Sequence, residues 1–335
     1  MILTLTVNPA IDRNVLADRL VFEDRAYILS SSESAGGRGI NASIVVHAFG
    51  GETAAVVPSG GKNGARFEQL LAGCGFPVHV VRIKNEIRTN LTITDRTGLA
   101  IKLNELGPPL STAEVGRIER TVRAKLAGAA WLMICGSLPP GVSPGLYCRL
   151  LAAAEKLGVR TLLDTDGDAL REGVEARPTV VAPNQQEAER LLNRALITRS
   201  HFIEAADRIR QMGPKYVLLS LGSRGAIGAT EDAMIEVVPP RVEAVCPIGA
   251  GDALVAAFVW SMQRGGDFPD SLRWGVAAGT ASAQLPGVNF PSFAQATEVY
   301  GRVEVRPAER PPFPHRPGKT QLFGRIEFAR VVPEP

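Results

Sequence analysis

Short apolar runs alternate with amphipathic segments over most of the chain. The amphipathic segments carry apolar residues at helical spacing, and four of them end in a glycine that suits a helix C-cap: residues 65–73, 112–128, 144–158 and 203–213. The apolar runs have the length and composition of buried strands, and the predicted strands begin at Ile2, Ala54, Trp131, Val159, Tyr216 and Met234. This alternation predicts an α/β fold with a largely parallel sheet that helices cover on both faces.

Two regions depart from the alternation. Residues 12–35 and 86–107 contain extended segments in which polar and apolar residues alternate, as in RTNLTIT. They predict a small separate β-sheet, built from two excursions of the chain, that serves as a lid. The main α/β domain is then expected in residues 1–11, 36–85 and 108–300.

Residues 301–335 differ in composition from the rest. Prolines are frequent between residues 306 and 317, which excludes a helix and predicts extended, polyproline-like chain. The apolar run at residues 322–332 is a candidate edge strand. Residues 301–335 also carry seven basic and four acidic side chains, which accounts for the whole formal net charge of +3. We therefore expect a Pro/Arg-rich extension on a formally neutral domain.

Composition excludes several classes of protein. With 45% hydrophobic and 21% charged residues in a chain of 335, the sequence is neither disordered nor fibrous. No stretch approaches the roughly 18 apolar residues that a membrane helix needs, and the first residues do not resemble a secretory signal. The four cysteines and four histidines lie apart, which argues against a disulfide framework and a zinc site. We expect a cytoplasmic protein with no membrane and no nucleic-acid partner.

The strongest local motif is the glycine-rich turn IGAGD at residues 248–252, which precedes a strongly apolar helical segment. A glycine-rich turn at a helix start presents free amide N–H groups, and the helix dipole favours an anion such as phosphate there. Asp252 at the same turn is suited to take the proton of a hydroxyl that attacks phosphorus. The alternative is that Asp252 only caps the helix.

A second glycine-rich turn, at residues 35–41, also precedes an apolar helix. Residues 37–42 match the dinucleotide-binding pattern G-x-G-x-x-A, so an NAD-dependent oxidoreductase has to be considered. The context disfavours that pattern, because no hydrophobic strand leads into it and no acidic residue ends the next strand. Close approach of a polyol to the glycine backbone, with hydrogen bonds from Asn41, is the better interpretation. A turn that only allows tight helix packing is the alternative.

Further polar turns follow the other predicted strands, and they begin at Asn8, Gly136, Asn184 and Ser220. Taken singly, each is more often a structural turn or a cap. In an α/β protein, however, such turns share one rim of the sheet, where ligands bind. Asn184 and Glu187 begin a helix one turn apart, and their oxygen atoms would suit a hydrated Mg²⁺.

Together these motifs resemble the ribokinase-like PfkB family of sugar kinases, and within it the phosphofructokinase and tagatose-6-phosphate kinase branch. The resemblance runs from about Ile2 to Gly301 and implies a three-layer α/β/α fold with a small β-sheet lid. The motifs that carry it are NPAID at 8–12, GGRGIN at 36–41, RTN at 88–90, GSLPPG at 136–141, LDTDGDAL at 163–170, PNQQE at 183–187, SLGSRG at 220–225 and GAGD at 249–252.

The resemblance implies roles for the matched positions. Asp252 would be the catalytic base, and the amides of Gly249, Ala250 and Gly251 would form an anion hole for the transferred phosphoryl group. The residues that would bind the sugar are Asp12, Gly36, Gly37, Asn41, Asn90 and Ser137. Those that would bind Mg–ATP are Asn184, Glu187, Ser220, Gly222 and Gly225, with Glu187 holding the metal through water. The implied cofactors are ATP and Mg²⁺, with a monovalent cation as a further candidate, and the implied assembly is a homodimer through the lid.

Three positions depart from the family pattern. Pro247 stands where the branch often has threonine, which removes a hydroxyl and an N–H group near the nucleotide. Arg38 and Ala182 stand where lysine is common, and the change at Ala182 is expected to weaken a nucleotide contact. None of the three alters Asp252 or its glycines, so we expect the activity to be retained.

The choice of acceptor depends on cations. A phosphosugar carries a dianion that arginine binds through charge-assisted hydrogen bonds, and Arg25, Arg38 and Arg88 are the candidates. Solvated surface arginine is the alternative for each. We predict an ATP-dependent hexose-phosphate kinase that converts fructose 6-phosphate or fructose 1-phosphate to fructose 1,6-bisphosphate. Tagatose 6-phosphate is the competing acceptor, and a non-catalytic sugar-phosphate sensor with the same fold is the competing function.

Overall fold

The structure, a computed structural model, describes residues 1–21 and 23–310. The strands in these ranges are β1 (Ile2–Leu5), β2 (Ala10–Ala17), β3 (Ile28–Gly36), β4 (Thr53–Ser59), β5 (Val78–Arg82), β6 (Arg88–Asp95), β7 (Ala100–Asn104), β8 (Trp131–Cys135), β9 (Arg160–Asp164), β10 (Val180–Val181), β11 (Tyr216–Ser220), β12 (Ala226–Ala229), β13 (Met234–Val238) and β14 (Glu304–Pro307). Each of the six predicted strands is present. The candidate edge strand at residues 322–332 lies outside the described residues.

The four predicted helices are also present. The helices of the described ranges are α1 (Arg38–Ala48), α2 (Gly61–Leu71), α3 (Thr112–Leu126), α4 (Gly145–Lys156), α5 (Gly167–Glu175), α6 (Gln185–Leu192), α7 (Arg199–Gln211), α8 (Ala250–Gln263), α9 (Phe268–Ala283) and α10 (Phe293–Tyr300), and a 3-10 helix covers Gly222–Arg224. None of these helices is long and apolar enough to cross a membrane.

The large sheet has ten strands in the order β14-β13-β12-β11-β10-β9-β8-β1-β4-β5. Neighbours from β11 through to β5 pair in parallel, whereas β12, β13 and β14 continue the sheet as antiparallel strands. Strand β1 pairs with both β4 and β8, so Ile2 lies beside Thr53 on one side and Trp131 on the other. Because the parallel strands share a direction, their carboxyl ends meet at one rim of the sheet.

Helices cover both faces of the large sheet, as the sequence predicts. Trp131, Met133 and Cys135 of β8 belong to a buried cluster with residues of α1, α8 and α9. Leu132 and Ile134 face the other way and pack with residues of α3 and α4. Alternate residues of a strand face opposite sides, so a strand that is buried on both faces is apolar throughout its length.

The small sheet has the order β3-β2-β6-β7 and is formed by the two excursions of the chain. Two antiparallel pairs, β2 with β3 and β6 with β7, are joined by the parallel pairing of β2 with β6. The register places Asp12 beside Asn90 and Asn90 beside Asn104, so these three side chains share a face. That polar face borders the carboxyl ends of the large sheet.

The described chain continues the main fold beyond residue 300. Strand β14 pairs with β13 and belongs to the large sheet, although the composition predicts a separate extension from residue 301 onward. Pro307 has no N–H group to donate, and it stands at the end of an edge strand, where proline is tolerated. The polyproline-like chain expected from residue 306 is therefore not found at Arg306 and Pro307, which pair with β13 instead.

Candidate active site

A cavity of about 370 Å³ lies between the rim of the large sheet and the small sheet. The turns that follow β1, β8, β9 and β10 contribute to it together with the end of β11, as expected for a ligand site in an α/β protein. Most of the residues predicted from the motifs line this cavity, namely Asp12, Gly37, Arg38, Asn41, Arg88, Asn90, Ser137, Asn184, Glu187, Ser220, Gly249, Gly251 and Asp252.

Asp252 lies in the first turn of α8, at the cavity. Asn41, in the first turn of α1, donates from Nδ2 to Asp252 Oδ2 at 2.7 Å, which joins two glycine-rich motifs that are 211 residues apart in sequence. The N-cap position of α8 is occupied by Gly249, and no side chain caps this helix. The capping alternative for Asp252 is therefore wrong, and its carboxylate is directed to the site.

The backbone before Asp252 forms an anion-binding turn. Gly249 has a φ of +87°, a conformation that favours glycine. The amides of Gly249, Gly251 and Asp252 have no hydrogen-bond acceptor in the described chain, and the α8 dipole favours an anion in front of them. The structure differs from the sequence expectation at Ala250, because the Ala250 amide donates to the Pro247 carbonyl at 3.2 Å.

The electrostatic surroundings of Asp252 suit a base at neutral pH. Burial, and secondarily the charge of Asp164, raise the pKa of Asp252 from 3.8 to about 7. The hydrogen bond from Asn41 and the charges of Arg38 and Lys102 act on this pKa in the opposite direction. A carboxylate with a pKa near 7 accepts a proton at neutral pH more effectively than an aspartate with the ordinary pKa of 3.8 does.

Four of the nine buried side-chain atoms that have no hydrogen-bond partner in the described chain belong to residues that line the cavity. They are Thr6 Oγ1 and Asn8 Oδ1, which follow β1 of the large sheet, and Arg88 Nε and Asn90 Oδ1 of β6 in the small sheet. Asp12 lies among them and accepts from Asn90 Nδ2 at 2.8 Å. Because buried polar atoms are nearly always hydrogen-bonded, this concentration indicates a ligand that is rich in hydroxyl groups.

Arg88 is held where the small sheet joins the large one. Its Nη1 donates to the Glu105 carbonyl at 2.8 Å and its Nη2 to the Asn8 carbonyl at 3.0 Å. Each terminal nitrogen keeps a second N–H, and Nε has no partner in the described chain. Arg88 therefore links the two sheets and still retains donors for an anionic group in the cavity.

Arg38 lines the cavity but is engaged by three carboxylates. Its Nη1 lies 2.9 Å from Asp164 Oδ1, and its Nη2 lies 3.3 Å from Asp166 Oδ2 and 3.2 Å from Glu187 Oε1. These charges, with Asp164 the largest contributor, raise the pKa of the guanidinium. The structure differs here from the expectation that Arg38 binds the acceptor phosphate, because the guanidinium already neutralises buried acids of β9 and α6.

Asn184 and Glu187 form a capping box at the start of α6. Asn184 Oδ1 accepts from the Glu187 amide at 2.9 Å, and Glu187 Oε2 accepts from the Asn184 amide at 2.9 Å. Glu187 Oε1 accepts from Arg38, so both carboxylate oxygens of Glu187 have donors. The cap interpretation of this pair is what the structure shows.

The acids that fit a hydrated Mg²⁺ are Asp164 and Asp166. Each keeps one carboxylate oxygen to which no described group donates. Mg²⁺ retains several waters and uses few protein ligands, so two free carboxylate oxygens suffice for it. No group of three His, Cys, Asp or Glu residues within ranges 1–21 and 23–310 is placed to hold a metal directly.

Five predicted site residues do not line the cavity: Arg25, Gly36, Gly222, Gly225 and Ala250. Arg25 is exposed between β2 and β3. A Cβ at Gly36 would lie 2.3 Å from the Asp12 carboxylate, so this glycine gives Asp12 its room. Gly225 has a φ of +90°, and a Cβ there would lie 2.0 Å from the Val237 carbonyl, which indicates a structural role. The nucleotide role expected for Gly225 therefore lacks support from its position.

Several lining residues were not predicted, namely Thr6, Asn8, Lys102, Asn104, Asp164 and Asp166. Three of them, Asn8, Asp164 and Asp166, lie in motifs that carry the family resemblance, but the motifs alone assign them no binding role. Lys102 and Asn104 alternate with apolar residues along β7, and this alternation could have placed them on the polar face. Thr6 has no comparable signal in the sequence.

Comparison with known proteins agrees with this geometry. Residues 6–295 match the family described as pfkB family carbohydrate kinase. The chain belongs to the PfkB family. Among PfkB relatives, the ATP-dependent 6-phosphofructokinase isozyme 2 of Escherichia coli is 32% identical over 302 residues, which cover 89% of this chain and 97% of that protein. The 1-phosphofructokinase of Borreliella burgdorferi is 30% identical over 306 residues, which cover 91% and 98% respectively.

Solved PfkB structures show the same architecture. The crystal structure of phosphofructokinase-2 from Escherichia coli in complex with fructose-6-phosphate has a TM-score of 0.83 at 32% identity and covers 90% of this chain and 98% of that one. Arabidopsis thaliana ribokinase, at 21% identity, has a TM-score of 0.71 over 89% of this chain and 98% of that one. The predicted family and the ribokinase-like α/β fold with a small separate sheet are confirmed.

Proposed function

We propose that this PfkB kinase transfers the γ-phosphoryl group of ATP to fructose 6-phosphate or fructose 1-phosphate and forms fructose 1,6-bisphosphate. The observation that carries the proposal is the position of Asp252 beside three unpaired amides in a cavity whose other side offers unpartnered sugar-binding groups. Relatives at 30–32% identity carry the names 6-phosphofructokinase and 1-phosphofructokinase, which supports a fructose phosphate over tagatose 6-phosphate. ATP and a sugar phosphate as substrates fit an enzyme of the cytoplasm.

In the proposed reaction, the acceptor hydroxyl oxygen attacks the γ-phosphorus as the bond to the β,γ-bridging oxygen breaks and ADP leaves. Asp252 takes the hydroxyl proton, and Asn41 holds the receiving carboxylate in place. The amides of Gly249, Gly251 and Asp252 donate to the equatorial oxygens of the phosphoryl group. Positioning and charge stabilisation supply the catalysis, as is general for phosphoryl transfer.

The acceptor is expected on the small-sheet side of the cavity. Asp12 and Asn90 bind its hydroxyl groups, and the free donors of Arg88, with the Ser137 hydroxyl, bind its phosphate. Arg38 and Arg25 take no part in this contact, since one is paired with acids and the other is outside the cavity. A free sugar would leave the Arg88 donors without an anion.

The nucleotide is expected along the turns after β10 and β11. Ser220 and Asn184 are polar groups there, and Ile248 and Val288 offer an apolar surface for a base. Asp164 and Asp166 would hold Mg²⁺ through water, and the ion would supply charge neutralisation of the triphosphate. A structure of phosphofructokinase-2 from Escherichia coli contains potassium, so we include a monovalent cation among the expected cofactors.

The assembly we infer is a homodimer through the small sheet. Opposite the cavity, the part of the small sheet formed by β6 and β7 is apolar, because the register pairs Ile93 with Ile101 and Leu91 with Leu103 on that side. Ile101 and Leu103 are 37% and 54% exposed, which is unusual for an aliphatic face of a sheet. A second copy would cover it. Phosphofructokinase-2 of Escherichia coli also has a tetrameric inhibited form, so a measurement of the oligomeric state has to consider tetramers as well as dimers.

The direct test is ADP release with Mg–ATP and a panel of acceptors: fructose 6-phosphate, fructose 1-phosphate, tagatose 6-phosphate, ribose 5-phosphate and the free sugars. We expect one fructose phosphate to give the highest kcat/KM. Asp252→Asn should lower kcat by at least about 1000-fold while it retains ATP binding, because the base is lost and the fold is not. Binding of a sugar phosphate without ADP release would identify a sensor instead, and near-normal turnover in Asp252→Asn would remove the base assignment.

A further inference from the structure

Lys102 is a cation of the cavity that the proposed function leaves without a role. It lies on β7 and lines the cavity with Asn104. The register pairs Lys102 with Thr92 and Asn104 with Asn90. Lys102 therefore lies one residue pair farther from Arg88 than Asn104 does, along the same face of the small sheet. It makes no hydrogen bond or ion pair with a residue in the described ranges. An unpaired, flexible ammonium group therefore faces the site.

The charge of Lys102 reaches carboxylates on both sides of the cavity. Burial raises the pKa of Asp12, on the small sheet, and the pKa of Asp252, on α8, and the charge of Lys102 opposes the rise at both. Asp12 belongs to the acceptor side, and Asp252 stands beside the free amides of α8. Lys102 lines the same cavity as both carboxylates, and its ammonium group is within electrostatic range of each.

Arg88 and Lys102 differ in how they are held. The Asn8 and Glu105 carbonyls hold the guanidinium of Arg88 where the two sheets meet. A cation held in this way is suited to bind the phosphate that the acceptor already carries. Lys102 has no such anchor, and an ammonium group acts as a compact charge that follows a phosphoryl group as it moves. The two cations are thus suited to two different phosphates.

Given the proposed kinase function, we propose that Lys102 is a catalytic residue that binds the transferred phosphoryl group from the side opposite the α8 amides. As the bond from the acceptor oxygen to phosphorus forms and the bond to ADP breaks, the ammonium group neutralises negative charge on the equatorial oxygens. It gives up no proton, because Asp252 accepts the one that is released. The small sheet then contributes to the chemistry as well as to sugar binding.

The test compares four variants with the wild type: Lys102→Met, Lys102→Arg, Arg88→Ala and Arg96→Ala. Lys102→Met should lower kcat by about 100-fold and change the acceptor KM by less than about threefold, whereas Lys102→Arg should restore most of the loss. Arg88→Ala should instead raise the acceptor KM. Arg96, an exposed cation at the β6–β7 turn and outside the cavity, is the matched control and should change neither constant.

A binding measurement separates charge stabilisation from misfolding. ADP with aluminium fluoride and the acceptor imitates the transferred phosphoryl group, so Lys102→Met should weaken that complex about 100-fold and leave the binding of ADP alone unchanged. A Lys102→Met enzyme with normal kcat, or with only a raised acceptor KM, would overturn the inference. If Lys102→Met does not fold, Lys102→Gln replaces it in both measurements. A wild type that is inactive with every acceptor would refute the proposed function instead.

Discussion

At the scale of single residues, the acids of the site differ in whether a cation pairs with them. Arg38 pairs with Asp164, Asp166 and Glu187, whereas Asp252 has no ion pair in the described chain. Burial and the charge of Asp164 outweigh the hydrogen bond from Asn41 and the charges of Arg38 and Lys102, and the pKa of Asp252 rises to about 7. The proposed base is thus a carboxyl group without an ion pair of its own.

The raised pKa predicts a specific pH dependence. Ionised Asp252 is the active form, so kcat/KM should rise with pH up to about 7 and then level off. Ionisation also costs stability, because the unfolded carboxyl titrates near 3.8. The folded state therefore loses stability as pH rises from about 4 to 7.

Asp252→Asn should remove this cost. The difference in free energy of unfolding between the variant and the wild type should grow from pH 4 to pH 7, to a few kcal/mol in favour of the variant, and then stay constant. Urea denaturation at several pH values measures it. A difference that does not depend on pH would contradict the raised pKa of Asp252.

At the scale of elements, glycines decide where turns can form. Gly225 precedes β12 with a φ of +90°, and a Cβ there would collide with the Val237 carbonyl of β13 at 2.0 Å. Gly222 also has a positive φ, of +61°, but no atom lies within 4 Å of the position of its Cβ. The two glycines of one motif thus carry different constraints, which the motif itself does not show.

This difference predicts the effects of two alanine substitutions. Gly225→Ala should lower the free energy of unfolding by about 3 kcal/mol, since backbone strain and a steric collision combine. Gly222→Ala should cost about 1 kcal/mol, from the left-handed backbone alone. Urea denaturation of both variants makes the comparison, and equal losses would contradict the assignment of Gly225 to a packing role.

The elements were more predictable than the side-chain pairing. Strand and helix positions depend on local periodicity, so the sequence predicts them. The anion-binding turn before α8 depends on glycines that are close together in the chain, so it is predicted as well. The partners of Arg38 lie 126 to 149 residues away, and no local pattern predicts which acids reach it. The use of the Ala250 amide inside its turn likewise depends on a backbone conformation that the letters GAGD do not specify.

At the scale of the whole molecule, the small sheet has two different faces. One face lines the cavity with Asp12, Asn90 and Lys102, and the other carries aliphatic side chains of β6 and β7, of which Ile101 and Leu103 are exposed. Covering the aliphatic face would fix the position of the polar one. Assembly and activity are therefore expected to depend on each other.

Disruption of the apolar face tests this dependence. Leu103→Asp should convert a dimer of 35.7 kDa subunits to monomers, as measured by size-exclusion chromatography with light scattering, and should lower activity. Leu157→Asp is the matched control, because Leu157 is 58% exposed against 54% for Leu103 but lies at the end of α4. It should leave the mass unchanged. A wild type that is monomeric at micromolar concentration would contradict the proposed interface.

The pairing of β2 with β6 has a further consequence. Asp12 comes from one hairpin, whereas Asn90 and Lys102 come from another, and only this parallel ladder aligns them. A slip of one residue along the ladder would turn Asp12 onto the aliphatic face and replace it in the cavity with a neighbour. We therefore expect the choice of sugar to depend on how the two hairpins are aligned, so that an insertion or deletion in either changes it without altering a motif.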